Sequence, residues 1–237
     1  MKYKMLLFLS IVLNIILLFI FVTIIYRYNM PKRIAAKMGW IEKPKPSDYR
    51  TVISWNNMME SIKYDADVVF FGASITSDGK WHEYFDSLKI CNLGKSGDNL
   101  ESMLIRVPQI SAVHPRKIFL APEQNDMRFL TIYEFQEKLI ILLNNIEKNN
   151  PQADIYLESL LPLNQIKFRT VCDNVKIQAA NEAIKSIAER KKLTYINLYD
   201  DYLENGQLSM DLSYDGQHLY PYAYNKWAIK LMPFIME

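Results

Sequence analysis

Asp67-Val68-Val69-Phe70-Phe71-Gly72-Ala73-Ser74-Ile75-Thr76 is the stretch on which the reading of this chain turns. A short apolar run, Val68 to Phe71, meets a glycine, and a serine follows two residues later. Such a run reads as a strand buried on both faces. Its C-terminal end would deliver Ser74 to the rim of a sheet, which is where open α/β sheets bind their ligands. Taken alone, the serine has a plainer role as the cap of the next helix.

Outward from this run, strand-like and helical patterns alternate. Further strands are expected at 89–93, 117–121, 154–158 and 193–198. Between them, Asp98 with Glu101 three residues on has the form of a capping box, followed by Leu100, Met103, Leu104 and Val107 on one face. Thr131 and Glu134 open a second helix with Ile132, Phe135, Leu139, Leu142 and Ile146 on its apolar side. A third carries Ile177, Ala180, Ile184 and Ile187, and a last one Tyr220, Tyr224, Trp227, Leu231 and Phe234. A further helix, with Ser47 as its cap, carries Val52, Trp55, Met59 and Ile62 ahead of the first strand. Strands alternating with helices imply a parallel sheet covered on both faces, a three-layer α/β/α sandwich over about 47–237.

The 237 residues are 50% hydrophobic with a formal net charge of +2, enough apolar material for a sizeable core. The basic residues are dispersed, and the run Arg190-Lys191-Lys192 sits where a helix should end and complements its dipole. No nucleic-acid partner is implied. Cys91 and Cys172 make no disulfide framework and read as buried thiols. His82, His114 and His218 form no His-Glu-x-x-His pattern or Cys/His cluster, so neither a metal site nor a cofactor is expected. His82 reads as a surface residue and His114, before Pro115, as a cation at a helix end.

From Met5 to Tyr26 the chain is apolar apart from Ser10, Asn14 and Thr23. A run of that length can cross a bilayer, which takes about 20 residues. It is longer than a signal-peptide core and lacks a small-residue cleavage site, so a retained anchor is expected after a short tail (1–4). Tyr26 and Tyr28 suit the interfacial belt. Lys2 and Lys4 lie before the span and Arg27, Lys32, Arg33 and Lys37 after it, a balance that does not favour export by charge. An extracytoplasmic domain is expected all the same, from the arrangement of an anchor followed by one globular domain. Residues 27–46, basic and proline-bearing, read as a stalk.

Chemistry should gather just past the strand ends. After the second strand comes Asn92-Leu93-Gly94-Lys95-Ser96-Gly97-Asp98, whose glycines permit a tight turn with N–H groups facing an anion. Its Gly-Lys-Ser matches only the tail of a P-loop, whose first glycine would fall at Lys89. After the third strand comes Glu123-Gln124-Asn125-Asp126, in which the Asn125 amide can donate to a developing oxyanion. Before the final helix comes Asp215-Gly216-Gln217-His218. Here the carboxylate can orient the imidazole, and the imidazole can take a proton from a serine. Asn125, Asp126 and Asp215-Gly216 are also ordinary turn residues.

These stretches, in this order, resemble the SGNH hydrolases, or GDSL esterase/lipase family. That family is marked by Gly-Asp-Ser, a glycine, Gly-x-Asn-Asp and Asp-x-x-His in successive blocks. The matching residues are Gly72-Ala73-Ser74, Gly94, Glu123-Gln124-Asn125-Asp126 and Asp215-Gly216-Gln217-His218, within 67 to about 230. The resemblance implies a five-stranded parallel sheet of flavodoxin-like order. It implies Ser74 as nucleophile, His218 as base supported by Asp215, and an oxyanion hole from the N–H groups of Ser74 and Gly94 with the Asn125 amide. Two departures stand out: Ala73 replaces the aspartate before the nucleophile, and Glu123 replaces the glycine of the third block.

The function expected is a membrane-anchored serine esterase that removes short O-acyl groups from a glycan or small ester. No long apolar channel is implied that would suit long-chain lipids. Two other functions fit the same residues, a non-catalytic carbohydrate-binding or assembly module, and an O-acyltransferase.

Overall fold

A computed structural model describes residues 2–27, 49–62, 64–168 and 172–236 of the chain. Apart from Arg27, the expected stalk lies outside the described residues, as do Ser47 and Tyr28. The chain divides into two compact units, Met1–Tyr49 and Arg50–Glu237.

In the first unit, α1 (Lys2–Arg27) is one continuous helix. Its segment Tyr3–Thr23, with a mean hydropathy of 3.1, is the one helix among the described residues long and apolar enough to cross a membrane. Where described, its side chains are exposed, including Leu13, Ile16 and Phe19. A helix apolar on all sides has no water-facing face, and this one suits a membrane anchor or a signal sequence.

The second unit is built on five strands: β1 (Val68–Phe71), β2 (Ile90–Asn92), β3 (Lys117–Leu120), β4 (Asp154–Glu158) and β5 (Thr194–Ile196). They pair in the order β2-β1-β3-β4-β5, every pair parallel. The order reverses between β1 and β3, so the crevice for a ligand opens past the ends of those two strands. Around the sheet lie α2 (Tyr49–Ser61), α3 (Ser74–Asp78), α4 (Trp81–Tyr84), α5 (Leu100–Ser111), α6 (Ile132–Asn149), α7 (Asn174–Lys191), α8 (Tyr199–Tyr202) and α9 (Tyr224–Met236).

Period-2 alternation sorts the strand residues into two cores. Val69, Phe71, Ile118, Leu120, Ile155 and Leu157 pack with Met103, Phe135, Leu139 and Ile184 of α5, α6 and α7. Val68, Phe70, Phe119, Tyr156 and Ile196 face the other way, onto Trp81, Tyr202, Trp227 and Leu231. On that second face three registered neighbours stack across the sheet. Phe70 lies 5.4 Å from Phe119, and Phe119 lies 4.6 Å from Tyr156. Trp81 closes the row at 4.3 Å from Phe70. Aromatic pairs at such distances add attraction beyond their buried area.

The helix starts follow local chemistry, with one correction. Thr131 and Glu134 form the expected capping box of α6. α5 instead begins one residue later than expected, capped by Asn99, which accepts the Ser102 N–H. Asp98 is drawn into the interior, where its Oδ2 lies 2.7 Å from Arg106 Nε, and Glu101 turns outward to Lys138. A buried guanidinium claims the carboxylate more strongly than a helix end does. α2 buries Val52 while Trp55, and Ile62 just past the helix end, stay exposed, and its buried Asn56 bridges to α5 through Gln109 Nε2 and the Ile105 carbonyl. α9 begins at Tyr224, leaving Tyr220 outside the helix. His114 adopts a left-handed backbone, φ 43°, and pairs with the exposed Asp65. Cys91 and Cys172 remain thiols, the second buried and the first half-buried.

At the end of β4, Glu158 is 1% exposed and receives the Trp227 indole N–H at 2.9 Å. Its other oxygen meets no donor among the described residues. Burial pushes this carboxyl up to about 8, the Trp227 bond opposes the shift, and the nearby Glu123 adds to it. A raised carboxyl favours the fold in its protonated form. Its contribution is complete below the ordinary glutamate range and is lost as pH rises toward 8. Thermal stability is therefore expected to fall between pH 5 and pH 8, and Glu158→Gln to flatten that fall. Melting temperatures of both proteins across this range test it, and parallel slopes would refute it.

Candidate active site

The β1–α3 turn brings the polypeptide out of the sheet at Gly72 and straight into a short helix whose first residue is Ser74. A Cβ on Gly72 would lie 2.0 Å from Thr76 Oγ1 and 3.0 Å from the Ala121 carbonyl oxygen, so only glycine lets the turn fold against β3. Ser74 is 6% exposed.

Its hydroxyl lies 3.1 Å from His218 Nε2, across 144 residues of chain. His218 Nδ1 lies 2.6 Å from Asp215 Oδ2. The loop carrying both residues is wound on its own side chains. Asp215 Oδ1 accepts the N–H groups of Gln217 and His218 at 2.9 and 2.7 Å. Ser213 Oγ accepts the Gly216 N–H and donates to the His218 carbonyl. Partial burial pushes the Asp215 carboxyl up, but the hydrogen bonds from the His218 ring and from the His218 and Gln217 backbone outweigh it and hold the group below its usual range. A charged carboxylate only accepts, so a proton sits on Nδ1, and in the neutral ring of that tautomer the Nε2 lone pair faces Ser74 Oγ.

The other expected residues stand differently. Asn125, past β3, gives one amide hydrogen to the Asp98 carbonyl at 2.8 Å, which fixes the side chain and leaves its second hydrogen. The Ser74 N–H has no partner among the described residues. Gly94 departs from expectation, because its N–H is given to Asn92 Oδ1 at 2.9 Å. What Gly94 provides is closeness. A Cβ there would sit 2.3 Å from Ser77 N, so glycine lets the β2–α5 loop press on α3. The Asn92 amide completes that contact with the carbonyls of Thr76, Ser77 and Gly79 at 3.1–3.2 Å.

Two residues carry roles that were not legible in the sequence. Arg106, on α5, is 3% exposed and pairs with Asp98. It also donates to the Leu93 carbonyl at 2.9 Å and lies over the Phe71 ring at 4.9 Å, bracing the loops on both sides of Ser74. An arginine next to Val107 on an otherwise apolar face was the available signal. Glu123 is the second. From the loop after β3 its Oε1 accepts the N–H groups of Ala73 and Thr76 at 2.8 and 2.9 Å and the Thr76 hydroxyl at 3.1 Å. Its Oε2 accepts the Ile75 N–H at 3.1 Å and lies 3.4 Å from Ser74 Oγ. Burial raises this carboxyl, and the hydrogen bonds from the turn oppose the shift. Among the described residues no group of three His, Cys, Asp or Glu side chains is placed to hold a metal ion.

No protein-family model matches the sequence, and no curated protein shows a significant match to it. Solved structures do resemble the chain. A Streptococcus pneumonia protein, provisionally named a platelet activating factor, shares 22% identity at a TM-score of 0.72, covering 86% of this chain and 98% of its own. A GDSL-like lipase from Bacteroides thetaiotaomicron VPI-5482 shares 20% at 0.66, covering 80% and 97%. A lipase/acylhydrolase from Enterococcus faecalis shares 17% at 0.63, covering 73% and 95%. With its sheet order and these likenesses, the domain of this chain has the fold of the SGNH, or GDSL-like, hydrolases.

Proposed function

We propose that this protein is a serine esterase of the SGNH type, tethered to a membrane by α1, that removes short acyl groups such as acetyl from carbohydrate. The observation that carries the reading is the line from Ser74 Oγ through the His218 ring to Asp215, with contacts of 3.1 and 2.6 Å and an Asp215 carboxyl held below its usual range. Ser74 Oγ attacks the ester carbonyl while His218 Nε2 takes its proton, and Asp215 stabilises the imidazolium that forms. The tetrahedral oxyanion is met by the Ser74 N–H and the remaining Asn125 amide hydrogen, with Gly94 outside the hole. Collapse returns the proton from His218 to the leaving alcohol. Water then releases the acyl group by the same steps in reverse roles.

A ladder of tyrosines supports a carbohydrate substrate. The Tyr214 ring lies parallel to that of His218 at 6.0 Å, Tyr220 meets Tyr214 edge-on at 5.8 Å, and Tyr222 stacks on Tyr220 at 5.6 Å. All three are substantially exposed. Rigid, amphipathic rings of this kind offer contact area at low entropic cost, and their electron-rich faces suit the C–H face of a sugar. Membrane tethering and an extracytoplasmic domain rest on the anchor-first arrangement of the chain and belong to the same proposal.

Four outcomes test it. Ser74→Ala is expected to abolish turnover of p-nitrophenyl acetate, and Asn125→Ala to lower kcat by about 10²–10³-fold. Normal turnover by Ser74→Ala would end the reading. The double variant Tyr220→Ala/Tyr222→Ala should keep its p-nitrophenyl acetate activity while KM for acetylated xylo-oligosaccharides rises. An unchanged KM would remove the sugar platform. Protease added to intact cells should cleave the domain, and protection would place it on the cytoplasmic side.

A further inference from the structure

Residue 73 is the N-cap of α3, and it is an alanine with φ −108°, ψ −135° and no side-chain cap. A polar side chain in that place would accept the N–H of the second or third helical residue, and alanine is among the poorest caps. In α3 those residues are Ile75 and Thr76. Both of their N–H groups are taken by Glu123, together with the N–H of Ala73 itself. The missing cap is thus supplied from the loop after β3, 50 residues away in the case of Ala73.

The pattern of what Glu123 takes bears on the chemistry. Of the four consecutive N–H groups from Ala73 to Thr76, three are bound to its carboxylate and the fourth, on Ser74, has no partner among the described residues. That remaining N–H belongs to the residue whose Oγ would attack, and it is the one an oxyanion formed there would meet. The same carboxylate lies beside Ser74 Oγ, at a longer distance than His218 Nε2 does.

We propose that Glu123 is a positioning residue. It caps the nucleophile helix in trans, so that the turn is held with Ser74 Oγ on His218 and with the Ser74 N–H alone left to donate. Glu123 acts through Ser74 and does not exchange a proton with substrate. The two departures from the family pattern, Ala73 and Glu123, are then one device: the carboxylate absent at 73 is delivered by 123. This inference rests on Ser74 as the nucleophile.

The test uses the full chain in detergent, with fluorophosphonate labelling as readout of Ser74 reactivity and amide hydrogen exchange of peptides spanning 73–76 as readout of the turn. Glu123→Gln presents an amide N–H₂ to a set of donors and should slow labelling by at least about 10-fold, with faster exchange at the turn. Glu123→Gly should do the same more severely. Adding a local cap, Ala73→Asp, to Glu123→Gly should recover at least about 10-fold in labelling rate and restore protection of the turn. Labelling and exchange of Glu123→Gln at the wild-type rates would overturn the proposal, as would a well-folded Ala73→Asp/Glu123→Gly protein no faster than Glu123→Gly. Should Glu123→Gly fail to fold, the Glu123→Gln comparison decides. Ser74→Ala separates the two claims. If wild type is labelled no better than Ser74→Ala, the esterase reading falls, while the exchange data still judge the cap.

Discussion

Three backbone N–H groups at the β1–α3 turn need acceptors in a place closed to water. A buried donor left unpaired costs about 1–3 kcal/mol, so a turn with three of them could not hold a fixed shape. One carboxylate meets all three, and of the N–H groups from Ala73 to Thr76 only that of Ser74 is left without a partner among the described residues. Because β1 and β3 are neighbours in register, Val68 opposite Lys117 through Phe71 opposite Leu120, the loops that follow them emerge side by side and Glu123 is within reach. The position of Ser74, and the line from it to His218, depend on that contact.

The surrounding loops are braced by charge in the same economical way. Asp98 is 2% exposed and its carboxyl is raised by burial, with Arg106 and Lys95 opposing the shift. Breaking one partner of such a buried pair leaves an uncompensated charge, which is more damaging than the pair is stabilising. Since Arg106 also holds the Leu93 carbonyl and covers Phe71, the pair couples the β2–α5 loop to the floor of the site. Asn125 leans on the Asp98 carbonyl, so the side-chain amide past β3 is oriented by the same brace.

Where the sequence misled, it did so through side-chain contacts that periodicity does not encode. The Asp98–Glu101 spacing has the form of a capping box, yet Asn99 caps α5 because Arg106 draws Asp98 inward. Gly94 has the form of an anion-binding turn, yet Asn92 takes its N–H and the glycine serves close packing on Ser77. Tyr220 has the spacing of a helix face, yet it stands before α9 in the exposed tyrosine ladder. In each case the local pattern names a feasible role and a contact made in the folded loop assigns another.

What this sequence determined by itself is what depends on periodicity and local chemistry. Its apolar runs specify five strands, its stripes at helical spacing specify α5, α6 and α7, its turn residues specify the loop that aims Asp215 at His218, and its first segment specifies an apolar helix long enough for a bilayer. These follow because side-chain direction along a strand or helix is set by backbone geometry alone. Only the tertiary structure decided that Ala73 and Glu123 belong together. Hydrogen bonds across 50 residues leave no trace in spacing. They exist because the sheet sets β1 beside β3, and read along the chain they look like two unrelated losses.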